Sequence, residues 1–118
     1  MLKRDDIFDF VSEKYDIKPD YPWEKYNDYT TLRHHDNEKW FALIMNITGD
    51  KIGLDNEDEI DVLNLKAREE FIGPLRKQKG IYEAYHMDKS NWVTINLNEI
   101  TSINKIKDLI AESFELTT

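Results

Sequence analysis

The side chains with the greatest chemical capacity are concentrated in the segment 81–92. Tyr82, Tyr85, His86, Lys89 and Trp92 bring phenol, imidazole, ammonium and indole groups together, with no period that would make a helix. From Trp92 to residue 97, apolar and polar residues alternate, which predicts a β-strand with one face in a core. Aromatic and basic side chains presented on a rigid strand are typical of a binding surface, but they do not identify the partner.

Basic residues surround this segment and admit two interpretations. They could form an anion or phosphate site, completed by Tyr85 and Trp92. They could equally be ordinary surface charge around a predicted helix, with lysine stems covering apolar surface. Acidic residues interrupt the basic ones, which favours surface charge. The basic residues are Lys66, Arg68, Arg76, Lys77, Lys79, His86 and Lys89.

The sequence gives little support for metal binding or catalysis. His34 and His35 are adjacent, so in regular β geometry they point to opposite faces and cannot share one ion. The chain contains no cysteine, which excludes disulfides and thiolate ligands. It also has no nucleophile elbow and no glycine-rich phosphate loop. We therefore predict no cofactor, no metal and no catalytic residue.

Charge and hydropathy limit the classes of partner. The net charge is −8, and all of that excess lies in residues 1–65, whereas residues 66–107 carry a net +3. Nucleic-acid affinity rests on cationic contacts with phosphates, so the acidic half disfavours a nucleic-acid partner. No run of residues is apolar enough for a signal peptide or a membrane span. We expect a cytoplasmic protein with no membrane partner.

Hydrophobic periodicity predicts three helices and four strands in one domain spanning residues 1–118. The helices are expected at 3–16, at 67–78 with a kink or restart at Pro74, and after a capping Thr101 or Ser102. The strands are expected at 29–35, 40–48, 59–65 and 92–97. Strands joined by short turns, with helices before, between and after, indicate an α+β fold. We expect a two-layer sandwich, a mostly antiparallel sheet with helices on one face.

Strict alternation along two strands divides their residues between two faces. The set expected to face the helices is Phe41, Leu43, Met45, Ile47, Val93, Ile95 and Leu97. The set expected on the other face is Trp40, Ala42, Ile44, Asn46, Trp92, Thr94 and Asn96. Two indoles on that second face allow three interpretations: a stacking platform, a homodimer interface, or a small second core covered by the loop 21–23.

Several motifs together resemble the MmcQ/YjbR family. They include Tyr21-Pro22-Trp23, Lys39-Trp40-Phe41-Ala42-Leu43-Ile44, Ala84-Tyr85-His86-Met87-Asp88-Lys89 and Asn91-Trp92, in the family's order. The resemblance covers essentially the whole chain and implies a small bacterial domain similar to the frataxin (CyaY-like) sandwich. Members are often labelled as predicted DNA-binding proteins. The family has no established activity, so the resemblance implies no catalytic residues.

These observations lead to a non-enzymatic binding domain as the leading hypothesis, with the family's DNA-binding label as one version of it. The alternatives are a protein–protein interaction or adaptor domain that is a monomer or homodimer, and a small-molecule binder or enzyme. The candidate binding residues are Trp40, Lys66, Tyr85, His86, Lys89 and Trp92.

Overall fold

Five antiparallel strands form the sheet in this computed structural model, which describes all of residues 1–118. The strands are β1 (Thr30–Arg33), β2 (Trp40–Thr48), β3 (Glu59–Lys66), β4 (Ile81–Glu83) and β5 (Trp92–Asn96). Their spatial order is β1-β2-β3-β5-β4, and each neighbouring pair is antiparallel. The short strands β1 and β4 are therefore the two edges. β4 was not predicted, because its three residues show no period.

Three helices pack on one face of the sheet: α1 (Arg4–Tyr15), α2 (Glu69–Arg76) and α3 (Lys107–Leu116). The apolar arc of α1 supplies Ile7 and Val11 to the core, whereas Asp5 and Asp6 are exposed at its first turn. Ile110 of α3 enters the same 20-residue core. The predicted α+β class, with helices on one face of an antiparallel sheet, is confirmed. α2 runs through Pro74, so it does not restart there.

A β-bulge in β2 overturns part of the predicted division between faces. Leu32 pairs with Ala42, but the next residue, Arg33, pairs with Trp40, so Phe41 is an extra residue in β2. Phe41 and Ala42 therefore both face the helices, and the alternation shifts by one beyond them. Ala42 and Ile44 belong to the helix-side core, contrary to expectation. The residues that were wrongly predicted to face the helices are Leu43, Met45 and Ile47.

The face of the sheet turned away from the helices, called the outer face below, carries a second core. Its five buried residues are Leu43, Met45, Ile47, Ile60 and Val62. Loop segments cover it with partly buried side chains, among them Trp23, Tyr29 and Tyr85. The outer face is thus covered by loops in this chain. This agrees with the interpretation in which the loop around Trp23 folds over a small second core.

Candidate functional site

The outer face holds a groove of about 500 Å³ lined almost entirely by aromatic and apolar side chains. Leu43 and Met45 of β2 form its floor. One wall comes from the segment between α1 and β1, and the other from the loop after β4. We call it the aromatic groove; its lining residues are Trp23, Tyr26, Tyr29, Trp40, Leu43, Met45, Tyr85, His86 and Met87.

Hydrogen bonds hold the segment between α1 and β1 against the sheet. The backbone N–H of Asp20 donates to the carbonyl of Thr31, and the N–H of Thr31 donates back, both at 2.9 Å. Arg4 of α1 donates from Nη1 to the carbonyl oxygen of Asp28 at 2.7 Å. Arg4 also pairs with Asp61 of β3 at 3.2 Å. The first wall of the aromatic groove is therefore fixed at both ends.

The rings in this wall contact one another in edge-on and stacked pairs. Trp23 meets Trp40 edge-on, with centroids 5.3 Å apart and planes at 82°. Trp23 also meets Tyr29 edge-on at 6.3 Å, and Tyr26 stacks on Tyr29 at 5.0 Å. Such offset and T-shaped pairs are the favoured arrangements of aromatic rings. Tyr26 lines the groove while 46% of its surface is exposed.

The opposite wall is positioned by a buried polar pair on β3 and β5. Thr94 Oγ1 donates to Asn64 Oδ1 and accepts from the N–H of Tyr85 at 2.9 Å. Asn64 Nδ2 in turn donates to the carbonyl of Tyr85 at 2.8 Å. Both polar groups of the Tyr85 backbone are therefore bound to the sheet. Because buried polar groups are costly to leave unpaired, this pair specifies where the loop lies.

His86 completes this wall in an uncommon backbone conformation. Its φ is +63°, in the left-handed region that a non-glycine residue adopts at some cost. The imidazole lies against the Tyr85 ring, with centroids 3.9 Å apart. Lys89 Nζ donates to the carbonyl of Ala84 at 2.8 Å and closes the loop. The loop thus holds an exposed imidazole beside a phenol ring at the edge of the groove.

Two cations lie beside rings of the groove, and Lys25, whose Nζ is 5.7 Å from the Tyr26 ring centroid, forms no ion pair. The Arg33 guanidinium lies 5.9 Å from the Trp40 ring centroid and pairs with Asp20 at 3.1 Å. Burial raises the pKa of Tyr29, and the neighbouring Tyr85, Asp28 and Tyr26 raise it further. Tyr29 therefore stays a neutral phenol at physiological pH. The lining includes no carboxylate, so the groove presents ring faces, thioethers, phenol hydroxyls and one imidazole.

The structure brings together three of the six candidate residues predicted from sequence. Trp40, Tyr85 and His86 line the aromatic groove. Lys89 lines a neighbouring cavity that also includes Tyr85. Lys66 and Trp92 lie opposite each other in the β3–β5 pairing and do not line the groove. Trp92 is on the outer face by strand register, but only 9% of its surface is exposed.

Sequence reasoning did not assign a binding role to several groove residues. Tyr26, Tyr29 and Met87 were not candidates, and Leu43 and Met45 were assigned to the helix side. The aromatic spacing between Tyr21 and Tyr29 was the available signal, since four rings in nine residues are rare in a solvent-exposed loop. The bulge that brings Leu43 to the groove floor leaves no comparable signal.

The three histidines lie apart, in different environments. Nε2 of the buried His34 is 2.7 Å from Oγ1 of Thr117, and the exposed His35 donates from Nε2 to the carbonyl of Asp16 at 2.9 Å. His86 is in the groove wall. No cluster of three or more His, Asp or Glu side chains has the arrangement needed to hold a metal ion.

A five-stranded antiparallel sheet with one helical layer and a loop-covered second face defines a small α+β domain class. Within that class the chain belongs to the YjbR family, whose model matches residues 12–116. It is 50% identical over 117 residues to the Bacillus subtilis protein YyaQ, described as uncharacterized, with 99% of each chain covered.

Solved structures show the same fold. A Pseudomonas syringae protein studied by crystallography is 47% identical, with a TM-score of 0.95 over 99% of this chain and 100% of that one. A Deinococcus radiodurans protein with a DUF419 domain is 22% identical, with a TM-score of 0.71 over 98% of this chain and 78% of its own. That more distant similarity concerns the fold alone. Separately, none of the helices has the length and apolar character to cross a membrane.

Proposed function

We propose that this protein is a non-enzymatic cytoplasmic binding domain that holds a flat aromatic group in the aromatic groove. One observation carries the proposal: five aromatic rings and two methionines converge on a preformed groove of about 500 Å³. Small-molecule sites are typically concave and mostly apolar, with a few polar groups that orient the ligand. Here the phenol hydroxyls and the His86 imidazole are the orienting groups.

The chemistry of the lining favours a flat ligand. Stacking of a base on an aromatic side chain contributes about 1–3 kcal/mol, and it tolerates different ring systems. Tyr26 and Trp40 offer ring area for this contact, while Met45 and Met87 adapt their shape to the ligand. The lining includes no carboxylate, and the His86 imidazole lies against the Tyr85 ring without a side-chain hydrogen bond that would orient it for proton transfer. This supports binding rather than catalysis.

A nucleic-acid version of this function requires an unstacked base. A duplex offers its phosphates, and the net charge of −8 opposes it. A single-stranded segment could place one base in the aromatic groove. Of the cations beside its rings, Lys25 lies 5.7 Å from the Tyr26 centroid, and Arg33 is already paired with Asp20. If the protein binds DNA, the groove therefore favours a single strand over a duplex.

Two tyrosines on one segment provide a matched test. Tyr26 lines the groove and is 46% exposed, whereas Tyr21 is 53% exposed and does not line it. Adenosine serves as an uncharged flat probe, with Trp23 and Trp40 fluorescence as the readout. Tyr26→Ala should weaken adenosine binding about 5- to 150-fold, the range for losing one stacking contact, while Tyr21→Ala leaves it unchanged. Wild-type protein that shows no response to adenosine, indole or a single-stranded oligonucleotide would refute the proposal.

A second candidate, a homodimer or adaptor that uses the same face, has one observation in its favour. Tyr21 and Tyr26 expose about half of their surfaces near each other in sequence, and exposed aromatic side chains are common at interfaces. Sedimentation equilibrium tests it directly. A monomer–dimer equilibrium weakened by both Tyr21→Ala and Tyr26→Ala supports an interface, whereas a protein that stays monomeric at high concentration excludes the homodimer.

A further inference from the structure

A second cavity on the outer face, of about 520 Å³, lies beside the edge strand β4. Its wall comes from the turn after β2, from the chain between α2 and β4, and from the loop after β4. Four cationic residues line it, Lys51, Arg76, Lys79 and Lys89, together with the carboxylates of Glu83 and Glu99. We call it the basic cavity. Its lining therefore carries a net +2 in a chain whose net charge is −8.

The two carboxylates of the basic cavity are already engaged by other groups. Glu83 pairs with Arg76 at 3.7 Å. Glu99 accepts from the Tyr82 hydroxyl and from Asn96 Nδ2. Lys51, Lys79 and Lys89 form no ion pair with any carboxylate of the chain. Three lysines from separate segments thus line one cavity without an ion-pair partner, and Lys89 Nζ donates to the carbonyl of Ala84.

The backbone adds donors at the same place. Gly80 is buried, with φ of +87°, and its carbonyl accepts from the N–H of Asn96. The N–H groups of Lys79 and Gly80, in contrast, donate none of the hydrogen bonds within the chain. Both residues line the basic cavity, and neither N–H is committed to a partner within the chain. Phosphate oxygens are strong acceptors for such a combination of amides and ammonium groups.

Tyr85 connects the basic cavity to the aromatic groove, because it lines both. A ligand with a ring in the groove and an anionic group a few bonds away would occupy both cavities. We propose that the basic cavity binds phosphate and that the ligand of the combined site is a nucleoside phosphate, either a free nucleotide or a single-stranded nucleic acid. This identification of the ligand rests on the proposed function, whereas phosphate binding by the basic cavity does not.

Another explanation of these lysines is protection of a sheet edge. Lysine on an edge strand discourages pairing with another chain. That explanation requires no convergence on a cavity, and it predicts that loss of one lysine changes self-association without changing phosphate affinity. The two explanations therefore differ in a measurable way.

Calorimetric titrations at low ionic strength with pyrophosphate, adenosine and ADP provide the test. The variant is Lys79→Gln, and the matched control is Lys107→Gln, an exposed lysine on α3 in the helical layer. We expect ADP to bind at least about tenfold more tightly than adenosine or pyrophosphate, because it engages both cavities. Lys79→Gln should weaken pyrophosphate and ADP about three- to tenfold and leave adenosine unchanged, while Lys107→Gln changes none of them.

The outcomes separate this inference from the proposed function. Adenosine binding with no gain for ADP, or equal behaviour of the two lysine variants, overturns the phosphate site and leaves the aromatic groove standing. Pyrophosphate binding that depends on Lys79, without any adenosine binding, overturns the nucleoside identity and retains the phosphate site; if indole and the oligonucleotide also fail to bind, the proposed function is overturned as well. A single-stranded oligonucleotide that binds more tightly than ADP and depends on Lys79 identifies a strand as the source of the phosphates; weaker binding identifies a free nucleotide.

Discussion

Trp23 meets Trp40 edge-on, with ring centroids 5.3 Å apart, and this contact joins the segment between α1 and β1 to the outer face of the sheet. Trp40 lies next to the bulge at Phe41, which turns the following residues Leu43 and Met45 outward beside it. The same contact therefore closes the second core and forms one end of the aromatic groove. We therefore expect this pair of indoles to contribute both to the stability of the outer face and to the shape of the candidate site.

Trp23→Ala should destabilise the protein by about 1–3 kcal/mol, less than for a fully buried aromatic because Trp23 is only partly buried. The loss of its cover should also shift the emission of Trp40 to longer wavelength. Urea unfolding followed by circular dichroism measures the first effect, and fluorescence measures the second. Tyr21→Ala, on the same segment and without an aromatic contact, is the control. Equal effects of the two variants would contradict a structural role for the indole pair.

The Tyr82 hydroxyl gives the protein a specific alkaline sensitivity. Burial, followed by the hydrogen bond to Glu99, raises the pKa of Tyr82 to about 12 from an ordinary value of 10.0. The folded state therefore holds this proton more tightly than the unfolded state. The corresponding stability is fully present below pH 10 and is lost as the pH rises from 10 to 12. Above that range the hydroxyl is ionised in both states and the contribution is gone.

Tyr82→Phe removes this contribution and leaves the other tyrosines in place. At neutral pH the variant should be less stable by about 1 kcal/mol, the usual net value of one hydrogen bond. The difference in unfolding free energy between wild type and variant should then shrink between pH 10 and 12. Urea unfolding of both proteins at several pH values measures this difference directly, and Tyr15 and Tyr29 cancel from it. A difference that stays constant up to pH 12 argues against the raised pKa.

The orientation of an element could be predicted from the sequence where only one of its faces is apolar. The prediction failed where both faces are apolar. In α1, Ile7 and Val11 alternate with acidic residues at helical spacing, so only one orientation is possible. In β2, the residues on both faces are apolar, so the period of two cannot identify the face toward the helices. The bulge at Phe41 then shifts the alternation by one residue. A bulge arises from pairing with β1, which no local pattern contains.

Only part of the candidate site could be predicted from the sequence, because one of its walls depends on contacts between residues far apart in the chain. Tyr85 and His86 stand out by composition, and Trp40 stands out as an indole next to an apolar strand. The opposite wall depends on how the segment between α1 and β1 folds back, through bonds such as that from Arg4 to the Asp28 carbonyl. That contact joins residues 24 positions apart, so the roles of Tyr26 and Tyr29 became visible only in three dimensions.

Ser113 attaches α3 to the sheet at the bulge, and its loss should be costly. Its Oγ donates to the carbonyl of Phe41 at 2.5 Å and accepts from the N–H of Lys66 at 2.9 Å. Ser113→Ala leaves both backbone groups without this partner in a fully buried environment, so we expect a loss of about 1–3 kcal/mol. Urea unfolding measures it. The exposed Ser12 of α1 is the control, and Ser12→Ala should change stability by less than about 0.5 kcal/mol. Similar values for both variants would show that Ser113 contributes little.

The last two residues of the chain provide a matched pair for the end of α3. Thr117 is 5% exposed; its Oγ1 lies 2.7 Å from Nε2 of His34 and donates to the carbonyl of Ser113 at 2.8 Å. Thr118 is exposed and donates only to the carbonyl of Glu115. Thr117→Val keeps the shape but leaves His34 Nε2 unpaired, so we expect a loss of about 1–3 kcal/mol.

Thr118→Val should change stability by less than about 0.5 kcal/mol, because water replaces the lost hydroxyl as donor to the exposed carbonyl of Glu115. A double-mutant cycle with His34→Phe separates the hydrogen bond from the packing of the ring, which lies 4.2 Å from Phe114 between centroids. If the hydrogen bond is the main term, Thr117→Val costs little once His34 is phenylalanine. If Thr117→Val destabilises the His34→Phe protein as much as the wild type, the effect comes from the other surroundings of Thr117. The link between α3 and the β1–β2 connection would then depend on the aromatic contact of His34 with Phe114.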